Sequence, residues 1–429
     1  MSTAQALPHD GVMRAADGTP LKVALARAER RERLKALGLV LPLFAFIVLS
    51  FVVPILVMLY NSFYDPDVSE NMPLTVQSLR AWDGKELPPE EVFAAFVTDM
   101  KAAQQNKQVA LIGKRLNYEI SGIRSKVIAA GRKVGALTEG PYRDAVIGID
   151  KIWGDIDTWA TIKRSSSSYT PFYILSMLDL RQGADGSIEQ VPQDRAIYKS
   201  ILVRTLGISL LVTVMTLILG YPVAYLLATS PMKTASILMM FVLLPFWTSL
   251  LVRTTAWMVL MQDGGVFTQM LNYTGLTFLM NMLGVIDGEP QLFKTRFATI
   301  VAMTHIQLPF TLLPIYSVMK TISPNYMRAA KSLGGTPFYC FLRVYMPQTL
   351  PGVAAGCLLT FILCLGYYIT PALVGGPTDQ MISGFIERAI NSENNWGKAS
   401  ALGVILLIAT LILYYVYNKL VGIDRMKLG

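Results

Sequence analysis

The sequence predicts an all-α polytopic membrane protein: six transmembrane helices, with a mostly helical extracytoplasmic insert between spans one and two. Three observations predict it. Of 429 residues, 53% are hydrophobic and only 16% charged, whereas soluble domains carry about a quarter charged. The apolar residues gather into runs close to the roughly 20 that a bilayer core requires. Lys and Arg collect on alternate connections between the runs, so the net charge of +9 reflects topology and calls for no nucleic-acid partner.

The spans fall in order at Ala36–Tyr60, Thr205–Ala228, Ala235–Met261, Phe297–Met319, Leu350–Val374 and Leu402–Tyr417. Residues 1–35 precede the first run, and 417–429 follow the last. The first run exceeds the 7–15 apolar residues of a signal peptide, and Asn61-Ser62-Phe63-Tyr64 offers no small-x-small cleavage site. It reads as a retained anchor. Pro245, Pro309, Pro314 and Pro371 lie inside spans, where neighbouring helices can satisfy the freed backbone and a bend can form.

Charge gives the orientation. The leading tail carries Arg14, Lys22, Arg27, Arg30, Arg31, Arg33 and Lys35 against Asp10, Asp17, Glu29 and Glu32. Connections on the same side, with the C-terminus, hold Lys233, Lys320, Arg328, Lys331, Arg343, Lys419, Arg425 and Lys427 against Asp424 alone. The other side is mixed, with Asp263, Asp287, Glu289, Asp379, Glu387 and Glu393 beside Lys294, Arg296, Arg388 and Lys398. The positive-inside pattern makes both termini cytoplasmic.

The polar stretch 61–197 is then external and long enough for a small core of its own. Phe93, Phe96, Val97 and Met100 share a helical face after Pro88-Pro89, as do Ile156, Trp159 and Ile162. Ser165–Ser168 reads as a linker and Gly183-Ala184-Asp185-Gly186 as a turn. The stretch either contacts a soluble partner or braces the spans.

Cys340, Cys357 and Cys364 have no metal-ligand spacing and read as packing residues. His9 and His305 stand alone. His305, inside an apolar run, reads equally as a functional ionisable group or a hydrogen-bonded packing residue.

The connection between spans four and five, SPNYMRAAKSLGGTPFYCFLRVYMPQTLP from Ser323 to Pro351, is unusually well specified. Ser323-Pro324 is an N-cap followed by proline at the first helical position. Gly334-Gly335 ends that helix, because glycine enters the left-handed region without strain. Thr336-Pro337 starts a second helix, with Phe338, Phe341, Leu342 and Tyr345 on one face. Ala329 and Ala330 leave room for a close approach. Such capping suits a linker that docks something.

Ala329-Ala330, three residues, Gly334, nine residues, Val344, one residue and Met346-Pro347 closely resemble the cytoplasmic EAA loop of type I ABC-importer permeases. In that family the first loop helix is a coupling helix seated in a groove of the ATPase subunit. The resemblance implies that Arg328, Ala329, Ala330, Gly334 and Pro347 form the ATPase-coupling surface of loop 320–349. Arg328 stands where the family usually has Glu, so the matching groove is expected to be more acidic. Gly366-Tyr367-Tyr368-Ile369-Thr370-Pro371-Ala372-Leu373-Val374-Gly375-Gly376, with Ile382 and Phe385, resembles the spermidine and putrescine permease subfamily. Pro245-Phe246-Trp247-Thr248 and Val252-Arg253-Thr254-Thr255-Ala256-Trp257 are similar to its third span.

The resemblance covers roughly 201–416, the transmembrane core of spans two to six, and does not extend to 61–197. It implies an inner-membrane complex of this chain, a second homologous permease, ABC ATPase subunits and a periplasmic solute-binding protein, all embedded in lipid. ATP and magnesium belong to the ATPase, since the chain has no Gly-x-x-x-x-Gly-Lys-Ser/Thr loop and no cofactor of its own. The implied function is ATP-driven import of a polyamine or related solute by alternating access.

The substrate path is less constrained. Arg253 is an intramembrane charge, which suits function, yet it lies near the external end, where snorkelling explains it equally. Trp247, Trp257, Tyr367 and Tyr368 suit cation–π contacts to an amine, and also helix packing or an interfacial belt. No Asp or Glu occurs inside any span. An amino-acid-derived or opine-like solute, its carboxylate meeting Arg253, is therefore the alternative substrate class. A six-span secondary transporter would need coupling-ion ligands and has no use for the capped loop. A membrane enzyme would need a catalytic constellation. The sequence has no His-Glu-x-x-His, no Gly-x-Ser-x-Gly and no paired carboxylates in the spans.

Overall fold

A computed structural model describes residues 20–183, 187–193, 196–284 and 288–421. His9, Arg14, the centre of the 183–186 turn, Asp287, Asp424, Arg425 and Lys427 lie outside the described residues. The chain divides into two units, Met1–Tyr60 and Asn61–Gly429. In the first, α1 (Leu21–Ile47) passes through a π-turn at Val48–Val52 into α2 (Val53–Asn61). Leu25–Asn61 is apolar and long enough to cross a bilayer.

The second unit begins with the insert, built from short helices: α3 (Pro73–Leu79), α4 (Glu90–Gln105), α5 (Val109–Asn117), α6 (Ile123–Lys133), α7 (Tyr142–Ile149), α8 (Ile156–Arg164) and α9 (Phe172–Met177). Its only described strands, β1 (Leu180–Gln182) and β2 (Ile188–Gln190), pair antiparallel. The apolar face of α4 carries the core: Phe93, Phe96, Val97 and Met100 are buried against Trp153, Trp159 and Ile162. Phe93 meets Trp159 edge-on, and Phe96 meets Trp153, each with ring centroids 4.6 Å apart. A helical period in the sequence thus becomes one continuous apolar cluster.

One polar device closes the insert on itself and a second ties it to the spans. The backbone of Phe63 and Asp65 hydrogen-bonds to Thr170 and Ser168, bringing together the segments before α3 and after α8. Asp179 then caps the next helix, accepting from Tyr198 N at 3.0 Å and Lys199 N at 2.8 Å, where a carboxylate suits the positive helix end. Beneath this, Arg115 is buried and paired with Asp65 (2.6 Å) and Glu119 (3.0 Å), and Tyr173 Oη donates to Asp65 at 2.5 Å. Burial opposes the Arg115 charge, but Glu119 and Asp65 outweigh it and hold its pKa above the ordinary value. Burial and the Asp65 charge push the Tyr173 phenol up.

The spans follow as α10 (Tyr198–Thr229), α11 (Met232–Leu243), α12 (Leu250–Met261), α13 (Val266–Tyr273), α14 (Leu276–Met282) and α15 (Arg296–Thr321). After them come α16 (Pro324–Ser332), α17 (Pro337–Cys340), α18 (Met346–Leu365), α19 (Ile369–Val374), α20 (Ile382–Asn391) and α21 (Trp396–Val421). Among the described residues five helices can cross a membrane by length and composition, or six if one bent pair is a single span. Helices α10, α15 and α18 form the centre. Thr311 donates to Thr216 at 2.8 Å and lies 2.6 Å from Thr360 Oγ1, linking all three helices. Gly352 and Gly356 let α18 approach the α15 backbone, the small-xxx-small device of membrane helices.

Two spans differ from the sequence expectation. Span three, expected as one helix over 235–261, bends by 96° between Trp247 and Leu250. Pro245 sits in a 3₁₀ turn at Leu244–Trp247, and Ser249 caps the new helix by accepting from Val252 N at 3.2 Å. Span five, expected over 350–374, instead runs as one helical rod from Pro337 to Leu365 and restarts at Ile369. Proline at 371 is accommodated in the first turn of α19; inside a continuous helix its ring would strike the Tyr367 carbonyl.

Candidate functional site

The coupling segment is built from the caps upward. Ser323 Oγ accepts from Asn325 N at 3.3 Å at the start of α16, and Pro324 occupies the first turn. The helix ends where Gly334 takes φ +87°, with Gly334 N donating to the Lys331 carbonyl and Gly335 N to the Ala330 carbonyl. That pattern satisfies the last carbonyls of the helix. A side chain at Gly335 would collide, its Cβ 2.5 Å from Cys340 Sγ. Thr336 caps α17, accepting from Tyr339 N at 3.4 Å.

Helix α16 buries none of its residues fully. Arg328 and Ala329 are exposed, Ala330 is half-buried, and Arg328 makes no ion pair among the described residues. Tyr326, Leu333, Phe338 and Tyr339 are exposed around it, an apolar surface of the kind that marks a partner site. Pro347 lies in the first turn of α18 and is exposed.

The segment is anchored by Met327, which packs on a cluster holding Tyr221, Tyr225, Phe341 and Tyr345. Tyr225 meets Phe341 and Tyr345 edge-on, each at 5.3 Å. The expected face of Phe338, Phe341, Leu342 and Tyr345 is divided. Phe341 and Tyr345 point inward, while Phe338 and Leu342 are exposed. A π-turn at Phe341–Tyr345 replaces the α-helical turn that the 3.6-residue spacing assumes. Met327 thus ties α16 to α10 and to the turn that leads into α18.

The second cluster lies where α12, α15 and α19 meet. Trp257 Nε1 donates to His305 Nδ1 at 3.1 Å and stacks on Phe267 at 5.7 Å. Arg253 lies one turn before Trp257 on α12. Its Nε is buried without a hydrogen-bond partner. Thr254 and Thr370 hydroxyls meet at 3.2 Å and join α12 to α19. Arg253 and Trp257 thus share α12, which the Thr254–Thr370 contact joins to α19 shortly after Tyr367. Trp247 is exposed at the bend and Tyr368 is exposed before α19. The pairing of His305 with Trp257 is not signalled by spacing, because it joins separate helices.

These features define a polytopic membrane protein with an exposed, capped helical loop. The chain belongs to the family described as binding-protein-dependent transport system inner membrane component, whose model matches residues 200–422. It is 31% identical over 229 residues to the spermidine/putrescine transport system permease protein PotB of Haemophilus influenzae, covering 53% of this chain and 77% of that one. It is 30% identical to the inner membrane ABC transporter permease protein YdcU of Escherichia coli, covering 52% and 71%. A bacterial alginate ABC transporter, solved with alginate pentasaccharide-bound periplasmic protein, is similar over 55% of this chain and 81% of that one, at 18% identity and TM-score 0.41. The sequence match carries the assignment. The chain is a multi-pass permease subunit of a binding-protein-dependent importer with the type I ABC permease fold.

Proposed function

We propose that this subunit imports a polyamine, or a related small organic solute, by alternating access. Separate ATPase subunits bind ATP and magnesium, a second homologous permease completes the path, and a periplasmic protein delivers the solute. The observation that carries the coupling half is α16: exposed, capped at both ends, yet fixed to α10 through Met327. Closure of the ATPase pair pulls on Arg328, Ala329, Ala330 and Gly334, and Pro347 lies behind them in the first turn of α18. The polyamine half is supported by the relatives' names. Charge bias supports cytoplasmic termini, with 1–35 and 417–429 inside, a span at 36–60, a periplasmic insert at 61–197 and a core at 201–416 carrying loop 320–349.

Arg253, Trp257 and Tyr367 form the solute path, with Trp247 and Tyr368 at its edge. One observation favours a second substrate class. The cluster has a cation with an unpartnered buried Nε and no acid in the spans, which suits a carboxylate better than a polycation. Reconstitution with the partner subunits, followed by ATP-dependent uptake of labelled spermidine with opine and amino-acid competitors, tests both. Competition by polyamines alone supports the first reading, and competition by carboxylates alone replaces it with the second. Uptake without any ATPase would sink the importer mechanism.

A further inference from the structure

A groove of about 690 Å³ lies along the first turns of α10 and α15, away from the solute cluster. Its lining carries Lys199, Arg204 and Arg296, with Val203, Gly207 and Ile300 among its apolar residues. No atom lies within 4 Å of where a Cβ on Gly207 would stand, so the groove keeps an open slot there. The rim is short of negative charge. Asp379 pairs with Arg296 Nε at 2.9 Å and is itself buried. Arg204 donates to the Gln380 carbonyl at 3.3 Å and makes no ion pair among the described residues. Lys199 makes no ion pair among the described residues. Three cations thus face one side-chain carboxylate, Asp379, while Asp179 is held by the backbone at the head of α10.

From these observations we infer that the groove binds one anionic phospholipid, its phosphate between Lys199, Arg204 and Arg296 and an acyl chain in the slot beside Gly207. Like charges at the rim repel, and a phosphate bridging them converts that repulsion into charge-assisted hydrogen bonds. Lys199 and Arg204 lie just before the apolar run that starts at Thr205, the depth at which a headgroup sits. By the charge bias this is the outer leaflet, a placement that rests on the orientation proposed above. Lys and Arg are otherwise offset by acids on that side.

The test uses the complete transporter complex, stripped of lipid in detergent and then titrated with phosphatidylglycerol or phosphatidylcholine of matched chains. Bound lipid is counted by native mass spectrometry. Phosphatidylglycerol should be retained about thirtyfold better or more, at about 1 kcal/mol for each of two or three interfacial cations. The double variant Lys199→Gln/Arg204→Gln should lose that preference, whereas Arg204→Lys should keep it. Gly207→Leu should reduce retention of both lipids by filling the slot, and inorganic phosphate should displace neither. Equal retention of the two lipids by the unaltered chain, or an unchanged preference in the double variant, would overturn the inference. Displacement by inorganic phosphate would also overturn it, in favour of a small-anion site. Solute uptake is not the readout, so an error in the proposed substrate leaves the result standing.

Discussion

Gly356 on α18 lies so close to Thr311 on α15 that a Cβ there would stand 2.5 Å from the Thr311 carbonyl oxygen. The contact sits beside the Thr311–Thr360 hydrogen bond and sets the spacing of the two helices. Gly356→Val is expected to lower stability by about 1–3 kcal/mol through overpacking against backbone that has no room to yield. Thermal unfolding of the detergent-purified complex reads this. Gly366→Ala is the control, because its nearest atom is 3.9 Å away and its φ is negative. Equal effects of the two variants would show that the Gly356 approach is not limiting.

Gly334 is a different kind of glycine. Space around it is open, but its φ of +87° penalises any L side chain. Gly334→Asp should mis-set the angle between α16 and the α18 rod and abolish ATP-dependent uptake while the spans stay folded. Uptake at the unaltered rate would refute the coupling role of this turn. Ser323→Ala should be milder, costing about 1 kcal/mol of local helix stability through the lost cap.

Much of that loop was legible in the sequence because capping is local chemistry. Ser-Pro, Gly-Gly and Thr-Pro each act within a few residues, and the helix bounds follow. The inward face of the second helix was legible only in part. A π-turn leaves no propensity signature, so an α-helical phase sends Phe338 and Leu342 to the wrong side. The 96° break in span three shows the same limit: Pro245 announces a bend, but its size depends on what Ser249 caps and what α12 packs against. The insert's apolar core was legible from the period of α4. Its buried charges were not, because Asp65, Arg115 and Tyr173 meet only in the folded state.

Arg115 is where the insert is most exposed to damage by one substitution. Arg115→Gln leaves Asp65 and the Oε1 of Glu119 without their buried counter-charge. The expected loss is about 3–5 kcal/mol, the usual cost of breaking a buried pair from one side. Arg164, which still holds Glu119 at 3.0 Å, limits the loss on that side only. Proteolysis within 61–197 under native conditions reads the effect. Protection as in the unaltered chain would mean that the network adds little.

Asp67, half-buried beside this network, gives the insert a pH dependence whose sign can be worked out. Burial and the neighbouring Asp65 charge raise its pKa above the ordinary 3.8. The folded state therefore binds the proton more tightly than the unfolded one, and the stability this contributes is present in acid. It is lost as pH rises from near 3.8 through the raised folded value. Asp67→Asn should flatten that fall in unfolding temperature while leaving the acid-side stability nearly unchanged. A variant as pH-dependent as the unaltered chain would assign the slope to another group.

The solute cluster separates two chemistries by one substitution. Arg253→Gln removes the cation but leaves the Trp257–His305 hydrogen bond and the Trp257–Phe267 stack in place. If the cluster receives a carboxylate, the charge-assisted contact is lost and the apparent KM for that solute should rise about tenfold or more. If it receives a polyamine through the aromatic faces, Arg253 only repels the cargo, and Arg253→Gln should leave uptake unchanged or lower KM. Trp257→Leu then inverts the comparison, because it removes the aromatic face and weakens polyamine uptake through the lost cation–π contact. Uptake measured on both variants with both solute classes decides which group the cluster reads, and indifference of both variants to both solutes would move the path elsewhere in the core.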